Sequence, residues 1–97
     1  MPIATARFAT PNAGRLLDQL AKHFAHKITV EQAGDVTRFA LPPGPAEGRA
    51  DADGLTLKAR GETPEALARG QRILEDHLLR FAFREKPAPL DWTRQPG

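Results

Sequence analysis

The sequence predicts an α+β domain, with two helices lying on one face of an antiparallel-rich sheet. Three observations predict it. Two stretches carry apolar residues at helical spacing: Ala13, Leu16, Leu17, Leu20 and Phe24, then Leu67, Leu74, Leu78 and Phe81 with Gln71 on the same stripe. Other stretches alternate apolar and polar residues with the period of a half-buried strand, as in Ile28-Thr29-Val30-Glu31-Gln32. That alternation implies one wet and one covered sheet face, so both helices belong on the same side. The predicted order is β-α-β-β-(β)-β-α.

The first strand is Ile3 to Ala9, where Thr5 and Arg7 alternate with Ala4, Ala6 and Phe8. Thr10-Pro11 then switches the period. Threonine is a good N-cap, and proline at the first helical position loses no needed hydrogen bond. Gly14 lies off the apolar stripe, and the first helix is expected to end near His26 or Lys27, where cations suit its negative pole. Ile28–Gln32 and Val36–Leu41 form a hairpin about Ala33-Gly34-Asp35. Pro42-Pro43-Gly44-Pro45 stops the third strand. Ala46 to Asp51 is weakly patterned and is expected as a short strand at a sheet edge. Asp53-Gly54 marks another turn, followed by a strand over Leu55–Arg60 with Leu55, Leu57 and Ala59 on one face. Thr63-Pro64-Glu65 opens the second helix, which is expected to run to about Phe83. Prolines extend the tail from Pro87 to Trp92; Trp92 is expected to dock on the body, with Phe83 as its intramolecular neighbour or as part of a partner surface. Residues 1–97 form one domain, ordered over about 3–92, with 93–97 frayed.

The 97 residues suffice for a core without staples. No cysteine is present, which excludes disulfides, thiolate metal sites and thiol nucleophiles. Serine is absent too, removing serine hydrolase chemistry. The net charge of +2 comes from 14 basic and 12 acidic residues interspersed along the chain. Nucleic-acid binding needs basic residues clustered on one face, so none is expected. No run is apolar enough to span a membrane and the N-terminus lacks the pattern of a secretory signal, so a cytoplasmic location is the expectation.

The candidate chemistry lies with the histidines. His23 sits about 80° from the centre of the first apolar stripe at 100° per residue, and His26 about 60° further round. His77 flanks the stripe of the second helix, on the side of Arg80 and Arg84. With the helices side by side, one groove would hold His23, His26, His77, Arg80 and Arg84. Three functions fit such a groove. Imidazoles at His23, His26 and His77 suit a transition metal; Arg80 and Arg84 suit an anionic ligand such as a siderophore or a haem propionate; a histidine titrating near neutrality suits acid–base work. A purely structural role fits as well, since His23 and His26 favour a helix C-terminus and His77 can bond a backbone carbonyl. No strand–GxxxxGK[ST]–helix phosphate loop and no His-Glu-x-x-His motif is present.

Ala4-Thr5-Ala6-Arg7, the block Leu20-Ala21-Lys22-His23-Phe24-Ala25-His26-Lys27, and Asp76-His77-Leu78-Leu79-Arg80-Phe81-Ala82-Phe83-Arg84-Glu85 with a late Trp92 resemble a bacterial family, domain-of-unknown-function family 2218. The likeness runs from about Ala4 to Trp92. It implies a TATA-binding-protein-like arrangement of helices on one face of a sheet. It also implies company: similar domains are attached to siderophore-interacting flavin reductases, which points to iron, haem or a siderophore as cofactor or ligand and to a siderophore-pathway protein as partner. The resemblance carries over no catalytic residues. This chain shows no flavin or nicotinamide site. The expected function is a binding or accessory module; the alternative is a protein-interaction domain docking through the open sheet face or the C-terminal aromatic tail.

Overall fold

The period-2 stretches become the strands of a single sheet. The computed structural model describes residues 1–95. In chain order the elements are β1 (Ile3–Ala9), α1 (Ala13–Phe24), β2 (Val30–Ala33), β3 (Val36–Phe39), β4 (Ala46–Ala50), β5 (Gly54–Arg60), α2 (Pro64–Phe81) and β6 (Thr93–Gln95), with a single 3-10 turn over Phe83–Glu85 after α2. All neighbouring strands are antiparallel, in the order β2-β3-β4-β5-β1-β6.

Register settles which face is covered. Ala4 lies opposite Ala59, Ala6 opposite Leu57 and Phe8 opposite Leu55, while Gly48 lies opposite Leu57 and Thr37 opposite Gly48. This row of residues faces both helices. A Cβ built on Gly48 would meet Leu17 of α1, and one on Gly70 of α2 would meet Ala59. Helix α1 therefore covers β3, β4 and β5, and α2 covers β5 and β1, on one side of the sheet. Leu16, Leu20, Leu55, Leu57, Leu67, Leu74 and Leu78 are fully enclosed between the layers. Burial of such a side chain is worth about 1.5–3 kcal/mol. The opposite face carries Thr5, Arg7, Glu47, Arg49, Thr56 and Lys58, with ion pairs from Lys58 and Arg60 to Glu47 at 3.8 and 3.1 Å.

The two Thr-Pro openings behave differently. At Thr63-Pro64 the threonine hydroxyl accepts a hydrogen bond from the Ala66 N–H at 3.1 Å, the expected cap. At Thr10-Pro11 the helix begins later, at Ala13, and no side chain caps it. The Thr10 hydroxyl is buried and committed elsewhere: it accepts from the Asn12 N–H at 3.0 Å and donates to Glu85 at 2.7 Å. Its local bond is thus to an N–H ahead of the helix, not to one in the first turn, while its proton goes to a distant carboxylate.

Other expectations are corrected. Ala46–Ala50 is an inner strand, paired with β3 on one side and β5 on the other. Its weak pattern has a packing cause: Gly48 leaves room for the Leu17 side chain to press onto the sheet. Residues 93–95 are not frayed but pair with β1 as β6, held also by a hydrogen bond from Arg94 Nε to Gln71 Oε1 at 3.0 Å; residues 96 and 97 lie outside the described residues. That bond explains why Gln71 is half-buried and not part of the core. Trp92 docks on α2, its ring nitrogen donating to Glu75 at 2.7 Å, whereas Phe83 remains 64% exposed.

Candidate functional site

The C-terminal ends of both helices meet at one edge of the core. His23 is the residue before the last of α1, and His77 lies one turn before the end of α2. Their imidazole centroids are 4.7 Å apart, with the ring planes inclined at 46°. Phe24 packs 5.3 Å from His23 and 4.9 Å from His77, and Phe81 lies 5.6 Å from His23. Phe81, expected in the core, thus serves half-buried as a wall of this aromatic cluster.

The tautomer of His77 follows from its partner. Nδ1 lies 2.7 Å from the Ile73 carbonyl oxygen, one turn earlier on the same helix. A carbonyl only accepts, so Nδ1 carries the proton and donates it. In the neutral ring, Nε2 then holds the lone pair. His23 is exposed as a residue, but its inner edge is desolvated where it meets this cluster. That desolvation, followed by the charges of His77, Lys27, Arg80 and His26, lowers its pKa from the ordinary imidazole value. The neutral, lone-pair-bearing form is favoured.

Beside the imidazoles is an open cleft of about 310 Å³. Its walls are apolar, from Phe24, Ile28, Leu41, Pro42 and Ile73, and Lys27 joins the two histidines around it. Leu41 and Pro42 come from the connection after β3. The sequence suggests only a strand end at Leu41 and a strand stop at Pro42, because nothing local in the chain announces their proximity to α2. Lys27 was visible only as a helix-ending cation.

The five expected residues are not brought together. His23 and His77 are adjacent, and Arg80 is near enough for its charge to act on His23. His26 falls in the turn after α1, exposed; its backbone N–H donates to the His23 carbonyl at 3.4 Å and its side chain bears on the His23 ring through charge. Arg84 lies beyond α2, its guanidinium 5.7 Å from the centroid of the exposed Phe83 ring, in a separate cleft with Asn12, Arg15 and Gln19. Both helices end earlier than expected, at Phe24 and Phe81, and the shortening carries His26 and Arg84 off the groove. Among the described residues no three His, Asp or Glu side chains converge as a metal-ligand set. The three-histidine set is therefore not assembled, although two of its members are.

Known proteins give a consistent comparison. The solved NMR structure of PA4090 from Pseudomonas aeruginosa superposes with a TM-score of 0.77 at 27% identity, covering 99% of this chain and 97% of that one. Among curated proteins nothing matches. Among the described residues no helix is long and apolar enough to cross a membrane. A family model described as "uncharacterized protein conserved in bacteria" matches residues 5–93, nearly the whole chain including both histidine blocks, and the chain belongs to that family, DUF2218.

Proposed function

We propose that the chain is a non-catalytic, cytoplasmic binding module that seats an anionic ligand with aromatic surface between the ends of α1 and α2, in the service of iron or siderophore handling. One observation carries the reading: the cleft joins apolar walls to two imidazoles and the Lys27 ammonium. Apolar walls with a few convergent polar groups are the usual make-up of a small-ligand site. Haem presents a flat apolar body with anionic propionates, and a ferric catecholate siderophore an octahedral trianion edged with aromatic rings; Lys27 and Arg80 would meet the negative charge of either. The iron link itself comes from the attachment to siderophore-interacting reductases that the sequence resemblance implies, and a siderophore-pathway protein is the partner that fits it.

Calorimetric titration with haem and with a ferric catecholate siderophore tests the proposal. Saturable one-to-one binding is expected, weakened about tenfold, or about 1.4 kcal/mol, in Lys27→Glu. Affinities no better than millimolar for both ligands, worth only about 4 kcal/mol, would overturn it.

A further inference from the structure

The hydrogen bond from His77 Nδ1 to the Ile73 carbonyl is the arrangement that orients a metal-binding histidine, whose non-ligating nitrogen usually donates to a carbonyl or carboxylate. It fixes the ring and leaves Nε2 as the ligating atom. The position of the second imidazole makes the geometry specific. A metal held about 2.0–2.1 Å from a ring nitrogen lies about 3.2 Å from the ring centroid. Two rings with centroids 4.7 Å apart then subtend roughly 95° at a shared ion on that ligand distance. Ligands on opposite sides of an ion would place the centroids more than about 6 Å apart on the same bond lengths. The separation is therefore that of adjacent positions on one ion and not that of the two axial positions of a haem.

We propose that His23 and His77 form a two-imidazole chelate for a borderline divalent ion such as Ni²⁺, Cu²⁺ or Zn²⁺, with the remaining coordination positions open toward the cleft. Imidazole suits these ions. Phe24 and Phe81 pack against the two rings. Lys27 and Arg80 then decide what completes the coordination shell. Their positive charge opposes a bare dication and favours one that carries an anionic chelator. The inference rests on the proposed binding role only for the location of the cleft, and it names the class of ligand: a divalent ion already partly wrapped by an anionic chelator.

Nickel nitrilotriacetate is a suitable probe, because the complex is an anion with two adjacent positions free. The untagged chain is expected to bind it one to one by calorimetry. His23→Phe and His77→Phe, which keep a ring in each packing site, should each weaken binding about a hundredfold, as expected when one arm of a two-point attachment is lost. His26→Ala should bind like the unsubstituted chain. Circular dichroism shows whether each variant is folded. On the unsubstituted chain, nitrogen NMR with zinc nitrilotriacetate should move the Nε2 resonance of His77 while Nδ1 stays protonated. No binding of the nickel complex, undiminished binding by His77→Phe, or an unmoved Nε2 resonance would each overturn the proposal. Haem and siderophore titrations use different ligands, so failure of the chelate and failure of the binding role are read separately.

Discussion

The Glu85 carboxylate accepts hydrogen bonds from the Thr10 hydroxyl at 2.7 Å and from the Asn12 side-chain amide at 3.2 Å. One acidic side chain in the turn after α2 thus fastens the segment that enters α1. Thr10 is only 4% exposed, so water cannot easily replace the lost partner. Glu85→Ala is expected to lower stability by about 1–3 kcal/mol, the cost of leaving a buried hydroxyl unpaired. In urea denaturation the midpoint should fall at unchanged slope. A double-mutant cycle with Thr10→Val should show coupling, because the valine leaves no hydroxyl to satisfy.

Two glycines should respond in opposite directions to the same substitution. Nothing lies within 4 Å of a Cβ built on Gly14, which sits exposed in α1. Gly14→Ala should raise stability by up to about 1 kcal/mol through helix propensity. At Gly61 the added Cβ would stand 2.5 Å from the Leu67 backbone nitrogen and 2.8 Å from its Cα. Main chain in the first turn of a helix cannot step aside as a side chain can, so Gly61→Ala should cost roughly 1–3 kcal/mol. Thermal melts of the two variants, shifted in opposite senses, check both.

The chain has a single tryptophan. Its ring nitrogen is bonded to Glu75 and its body packs on the core, next to the strand that pairs with β1. Trp92→Ala should therefore destabilise the fold by roughly 2 kcal/mol, below the cost of emptying a fully enclosed aromatic site. It should also speed amide exchange at residues 93–95 before any other strand. Exchange measured by NMR on the variant and the parent would show that order.

Two groups make stability fall on acidification, in separate windows. Desolvation, helped by its cationic neighbours, holds His23 below the ordinary imidazole value. The unfolded chain then binds the proton first, so stability is complete above about pH 6.5, the unperturbed histidine value, and declines as pH falls toward the folded-state pKa. The Arg7 guanidinium, and then the backbone N–H of Asp53, hold Asp51 well below the usual carboxylate range. Its contribution is complete above about pH 4, the unperturbed aspartate value, and is lost as pH falls through the folded-state pKa. His23→Phe should flatten the first decline and Asp51→Asn the second. Both residues are exposed, so the slopes should be small, and that of Asp51 should shrink further in high salt.

How much of this was legible depended on how local the cause was. The hairpin of β2 and β3 could be read because Gly34, at φ 66°, makes a two-residue turn between alternating stretches. The opening of α2 could be read because Thr63, Pro64 and Glu65 act on their own backbone. The same signal at Thr10 failed because its hydroxyl accepts from the Asn12 N–H, ahead of the helix, and its proton is held by Glu85 from the far end of the chain. The central position of β4 was hidden for a similar reason: Gly48 breaks the apolar pattern to accept Leu17 of another element. In the candidate site, helical phase sufficed to bring His23 and His77 together, since both lie within regular helix. It failed for His26 and Arg84, which fall just past the helix ends, where a fixed angle per residue no longer applies.

The position of β1 has a consequence for the making of the protein. The strand of this sheet that is translated before the others, β1, lies between β5 and β6, and both of its neighbours are translated long after it. Until they emerge, Ile3–Ala9 has no hydrogen-bonding partner and an uncovered apolar side. Such distant pairings slow folding and leave a nascent chain prone to association. The sheet is therefore expected to close late, with the first of its strands to be made among the last to be locked in.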